Sequence, residues 1–175
     1  MMLNKLFEQE SRKKTKCYVR IDDTVVKDSD YVFHIDLGSC SSVVLCGMDP
    51  NNKVWIGINH LFKSRDKNMD MALLHVSELY NSLTEKNVSR IHCLGLFGAG
   101  YRKNSPAREV ARKNIMTTLE ALSIYNLTIE LFQTGFSQGI TILISDERNS
   151  FLIRHHNIGS KETKIIEIPL SKIFG

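Results

Sequence analysis

Two β-branched runs facing each other across a turn constrain this chain more than any other feature. Residues 41 to 46 (Ser-Ser-Val-Val-Leu-Cys) and 53 to 59 (Lys-Val-Trp-Ile-Gly-Ile-Asn) are strand-like, and Gly47-Met48-Asp49-Pro50-Asn51-Asn52 between them is dense in turn formers. The segment reads as a β-hairpin. Its arms run antiparallel, so residues equally far from the turn lie roughly opposite each other, and Cys40 and His60 are equidistant from Pro50. A thiol and an imidazole are therefore expected to meet at the open end.

That meeting has chemical content. A protonated thiol is a modest nucleophile, and an imidazole that takes its proton makes the reactive thiolate accessible. Gly38-Ser39 precedes the cysteine, and a glycine there permits a tight turn that aims backbone N–H groups at a developing oxyanion. Ser39 and the Cys40 N–H are the oxyanion candidates. The same spacing equally fits a small buried cysteine at a strand start and a structural histidine at a strand end.

With Leu37-Gly38-Ser39-Cys40, Asp49-Pro50 and Gly57-Ile58-Asn59-His60 in that order, the chain resembles the chemoreceptor glutamine deamidases called CheD. Gly98-Ala99-Gly100 is similar to that family's glycine-rich loop, Ala111-Arg112-Lys113-Asn114-Ile115 to its second helix, and residues 134 to 154 to its closing hairpin. The resemblance covers roughly residues 17 to 155. It implies a three-layer arrangement and hydrolysis of receptor glutamine side chains to glutamate through a thioester on Cys40. His60 would act as acid and base, with no metal or organic cofactor. The implied partners are the cytoplasmic domain of chemoreceptors and a CheC-type phosphatase. A non-catalytic regulator that binds either of these partners is the alternative reading. The chain departs from the family at Phe136 and Ile140, where a glycine and an arginine are usual. It also carries His34 where the family has a threonine six residues before the nucleophile. Period-two geometry places His34 and Asp36 on one face of the incoming strand, so His34 is expected either to orient the catalytic histidine in the hydroxyl's place or simply to pack or face solvent.

Composition narrows the alternatives. The 175 residues, 42% apolar and 24% charged, suit one domain with its own core. The formal charge of +4 is mild and concentrated in Arg12-Lys13-Lys14-Thr15-Lys16, with no nucleic-acid motif beside it. Residues 1 to 16 are expected to be a basic extension that either frays or forms a brief helix. No apolar run approaches the length of a membrane span, and the N-terminal residues lack a signal-peptide core, so a cytoplasmic protein without membrane insertion is expected. The four cysteines, Cys17, Cys40, Cys46 and Cys93, form no Cys-x-x-Cys pair and are expected to be reduced. Gly98-x-Gly100 lacks the Gly-Lys-Ser/Thr of a phosphate loop.

Along the remaining chain, residues 17 to 21 and 24 to 26 alternate as strands broken by Asp22-Asp23, and a helix is predicted from about 70 to 84 on the stripe Ala72, Val76, Leu79, Tyr80 and Leu83. A strand over 90 to 97 leads into the glycine loop. Ser105 as cap and Pro106 at the first helical position open a second helix to about Tyr125. Strands over 127 to 133, 140 to 145, 151 to 155 and 165 to 169 follow. Short strands, two intervening helices and hairpins at both ends predict an α+β fold, a mostly antiparallel β-sandwich with two helices packed outside.

Overall fold

The computed structural model describes residues 2–38, 40–61, 68–99, 106–135, 138–157 and 162–175. Its elements are α1 (Leu3–Lys13), β1 (Thr15–Tyr18), β2 (Thr24–Asp28), β3 (Tyr31–Leu37), β4 (Ser41–Met48), β5 (Val54–Leu61), α2 (Asn68–Thr84), β6 (Ile91–Ala99), α3 (Pro106–Ile124), β7 (Ile129–Gly135), β8 (Gln138–Ser145), β9 (Ser150–Asn157), β10 (Thr163–Pro169) and α4 (Leu170–Phe174). The strands form two five-stranded sheets, ordered β1-β3-β8-β9-β10 and β2-β5-β4-β6-β7. Among the described residues only β1–β3 and β6–β7 pair in parallel. The α+β sandwich expected from the strand pattern is the observed architecture. No helix among the described residues is long and apolar enough to cross a membrane.

Which side chains face which layer follows from period two. Phe33, Ile35 and Leu37 of β3 alternate inward and meet Val44, Cys46, Ile56 and Ile58 of β4 and β5 in the core between the sheets. The odd residues Val43 and Leu45 turn the other way, under Ala72, Val76 and Leu79 of α2 and Leu122 of α3. Strand β4 is thus covered on both faces, and this is why its sequence reads as a nearly continuous apolar run.

The hairpin turn is built by Asp49. Its Oδ1 accepts from the N–H groups of Asn51 (2.8 Å) and Lys53 (3.0 Å), and its Oδ2 accepts from Trp55 Nε1 at 3.0 Å. Asn52 completes the turn with φ of 61°, a left-handed conformation that Asn tolerates. Met48 pairs with Val54, so the turn centres on Asn51 instead of Pro50. The register moves by two residues in consequence.

Of the two alternatives for residues 1 to 16 the structure shows the helix, α1, but it is not left free: it docks on the outer face of the β3-containing sheet, where Leu6 and Phe7 are fully buried against Val32, Leu143 and Leu152. Glu10 anchors its end by accepting from the Asp146 N–H at 3.2 Å and from Lys13 Nζ at 2.8 Å. At the other terminus α4 sets Phe174 edge-on against His92 and ties Lys172 to Glu130.

Candidate active site

The site lies where the chain crosses from one sheet to the other. After β1 the residues 19 to 23 leave the first sheet and join the second at β2. Val19 spans the gap: its N–H donates to His34 O at 2.9 Å in the first sheet, and its carbonyl accepts from His60 Nδ1 at 3.2 Å in the second. The turn is closed by Arg20 N–H donating to Asp23 Oδ2 (2.8 Å) and by Asp23 N–H donating to Arg20 O (3.0 Å). It is docked on β5 by a reciprocal pair, Asp22 N–H to His60 O at 2.8 Å and His60 N–H to Asp23 O at 3.1 Å. His60 is held at both its main chain and its ring.

Cys40 immediately precedes β4 and packs in the core between the sheets. On β5, Ile56 and Ile58 point into that same core, so period two directs His60 there as well. His60 pairs with Ser42, which puts Cys40 one diagonal step away instead of directly opposite. Since the register shift is even, the thiol and the imidazole stay on one face; an odd slip would have separated them. The strands are clamped beside them: Ser42 Oγ donates to Asn59 O at 2.6 Å, and Val43 N–H donates to Asn59 Oδ1 at 2.9 Å.

The Val19 carbonyl can only accept, so the hydrogen bond at Nδ1 fixes the proton there and leaves Nε2 with the lone pair. Nε2 is buried and has no hydrogen-bond partner among the described residues. This is the tautomer a general base needs. Burial lowers the His60 pKa, against the opposing pull of the Val19 carbonyl, Asp22, Asp23 and Asp36. Burial also pushes the Cys40 thiol up to about 11; Asp22 adds to that rise, and the Gly38 main chain opposes it. The resting pair is therefore a neutral thiol beside a neutral imidazole, with Cys40 4% and His60 3% exposed.

Of the two placements expected for His34, the structure shows the packed one. Its strand neighbour Val32 packs under α1, and His34 lies on that same outer face, away from the thiol. There its Nδ1 bonds Thr141 Oγ1 at 3.2 Å and its ring stacks on Tyr18, with centroids 4.9 Å apart. The reason is the alternation of β3: Phe33 and Ile35 fill the core, so the residue between them must point out. What reaches the site from position 34 is the main-chain carbonyl, through Val19. The orienting groups on His60 are therefore main-chain atoms of residues 19 to 23. Asp22-Asp23 signalled a turn in the sequence, but nothing local indicated that it docks on β5.

Ser39, the second oxyanion candidate, lies outside the described residues, as do Gly100, Ser105, Phe136 and Ser137. Gly98 pairs with Ser41, so the strand leading into the glycine loop does run beside Cys40. The thiols of Cys46 and Cys93 are buried and pushed up by that burial, Cys93 to about 12. Compared with family models and with curated proteins, the chain matches none.

Proposed function

We propose that the protein is a cysteine-dependent amidase that converts glutamine side chains of chemoreceptors to glutamate. The observation that carries this reading is the disposition of one pair: Cys40 and His60 share the core-facing side of the β4–β5 hairpin, with the His60 proton tied to Val19 and Nε2 without a partner among the described residues. In the first step the Cys40 Sγ–H proton passes to Nε2 as sulfur bonds the carboxamide carbon and the carbonyl electrons move onto oxygen. The oxyanion is met by the Cys40 N–H. Collapse of this intermediate breaks the C–N bond, His60 returns the proton, and ammonia leaves a thioester. Water, deprotonated by His60, then adds to the thioester, and the thiol departs with that proton to leave glutamate. The balance is one carboxamide and one water to one carboxylic acid and one ammonia.

A second reading rests on a specific observation. A thiol near 11 with 4% exposure is also what an inert core cysteine looks like, which favours a non-catalytic regulator binding chemoreceptors or a CheC-type phosphatase. Mass spectrometry of receptor cytoplasmic fragments incubated with the protein separates the two. Site-specific replacement of an amide NH2 by OH, abolished by Cys40→Ala, supports the amidase. Unmodified glutamines with retained receptor binding support the regulator.

A further inference from the structure

Asp22 is an exposed aspartate whose main chain adopts φ of 64°, a left-handed conformation uncommon outside glycine, asparagine and aspartate. That conformation is what turns its N–H onto His60 O while Asp23 O receives the His60 N–H. The main chain of Asp22 is thereby held at the strand end that carries His60, and its exposed carboxylate is tethered there. We propose that Asp22 is a positioning residue of the Cys40–His60 pair, which favours positive charge on His60 during reaction and keeps the unengaged Cys40 a thiol.

Charge balance gives the reason. When Cys40 surrenders its proton to His60 and bonds carbon, negative charge moves off sulfur onto the more distant oxyanion, while positive charge appears on the imidazole beside Asp22. A carboxylate tethered at that strand end stabilises the imidazolium. In the free protein the same carboxylate opposes a bare thiolate, adding to the effect of burial on Cys40. Asp23 and Asp36 also act on His60, Asp23 from the same turn and Asp36 from β3, whereas Asp22 acts on both members of the pair. The reactive thiolate is thus generated on engagement instead of being stored, which shields it from oxidation between turnovers.

This inference rests on the reading of Cys40 and His60 as the reacting pair, but its test does not use turnover. Asp22→Asn removes the charge and tolerates the left-handed backbone; Asp22→Gly does the same with no side chain. Two properties are measured: the His60 ring titration by NMR, and the rate of Cys40 alkylation by iodoacetamide, located by peptide mapping. Both variants should titrate His60 at lower pH than wild type. Loosened packing would do the opposite, because burial is what depresses His60. Alkylation at pH 8 should rise roughly twofold in both variants, and added salt should speed it in wild type but not in the variants. An unchanged or upward His60 titration, or a wild-type rate indifferent to salt, overturns the proposal. Loss of receptor deamidation in wild type would instead refute the amidase reading and leave this test standing.

Discussion

Replacing Phe7 by alanine should cost the protein a large share of its stability, although Phe7 lies in a segment whose sequence is mostly polar and basic. The side chain is fully buried between α1 and the outer sheet face, with the Arg154 guanidinium 4.5 Å from its ring centroid. Removing a buried phenylalanine costs about 3–5 kcal/mol through lost transfer energy and the cavity left behind. Against a total of about 5–15 kcal/mol for a domain, that is a substantial fraction. At roughly 2–4 °C per kcal/mol for a chain of this size, the midpoint of thermal unfolding should fall on the order of 10 °C. Urea denaturation of Phe7→Ala and of the exposed control Lys5→Ala reads the difference as a lower transition midpoint at unchanged slope. Hydrogen exchange should locate the loss to residues 3–13 and the strands beneath them. A Phe7→Ala loss below about 1 kcal/mol, no larger than the control, would refute the docking of α1.

Three further outcomes follow from the site and its supports. Alkylation of Cys40 should climb about tenfold per pH unit and keep rising past pH 9, since a thiol near 11 gains thiolate throughout that range; a plateau below pH 9 would contradict the neutral resting pair. His34→Ala should leave receptor deamidation and Cys40 alkylation within about twofold of wild type, because its ring faces the outer surface and the Val19 bond uses its main-chain carbonyl; a tenfold loss of turnover at unchanged binding would restore the side chain to the site. Burial pushes the Glu10 carboxyl up, but Lys13, the Asp146 N–H and Lys14 outweigh it and hold it below its ordinary 4.5. Its contribution to stability is therefore complete above that value and lost as pH falls through the lower folded one. Urea midpoints of Glu10→Gln between pH 3 and 6 should show less acid dependence than wild type; equal dependence would remove Glu10 as a contributor.

The central hairpin and the two long helices were legible because their signals are local: β-branched runs around Asp49-Pro50, and apolar stripes in α2 and α3. The pairing of Cys40 with His60 was legible only to within a diagonal step, because the turn centre depends on how the Asp49 side chain distributes its hydrogen bonds. The face occupied by His34 was a different problem. Alternation puts His34 with Asp36 on one face and Phe33 with Ile35 on the other, but which of these meets the thiol is decided by which face of β3 the second sheet covers, a tertiary choice that period two does not fix. The docking of α1 escaped for the same reason. Leu6 and Phe7 have value as core residues only once Leu143 and Leu152 are there to receive them. Val19 escaped because it acts through main-chain atoms, on which side-chain identity carries little information, and Asp22 because nothing local shows that its turn docks on β5.

The position of Val19 gives the N-terminal edge a mechanical character. One residue fastens both sheets, its amide to the first and its carbonyl to the imidazole in the second, so the His60 tautomer is set by a rivet in the seam. Force applied at the N-terminus would strip α1, then peel β1 away from β3 in order from Thr15, and reach Val19 only at the end of that strand. Until the last bond parts, His60 keeps its proton on Nδ1. Once it parts, the ring loses its orienting acceptor while β4 and β5, held by their own ladder, still stand.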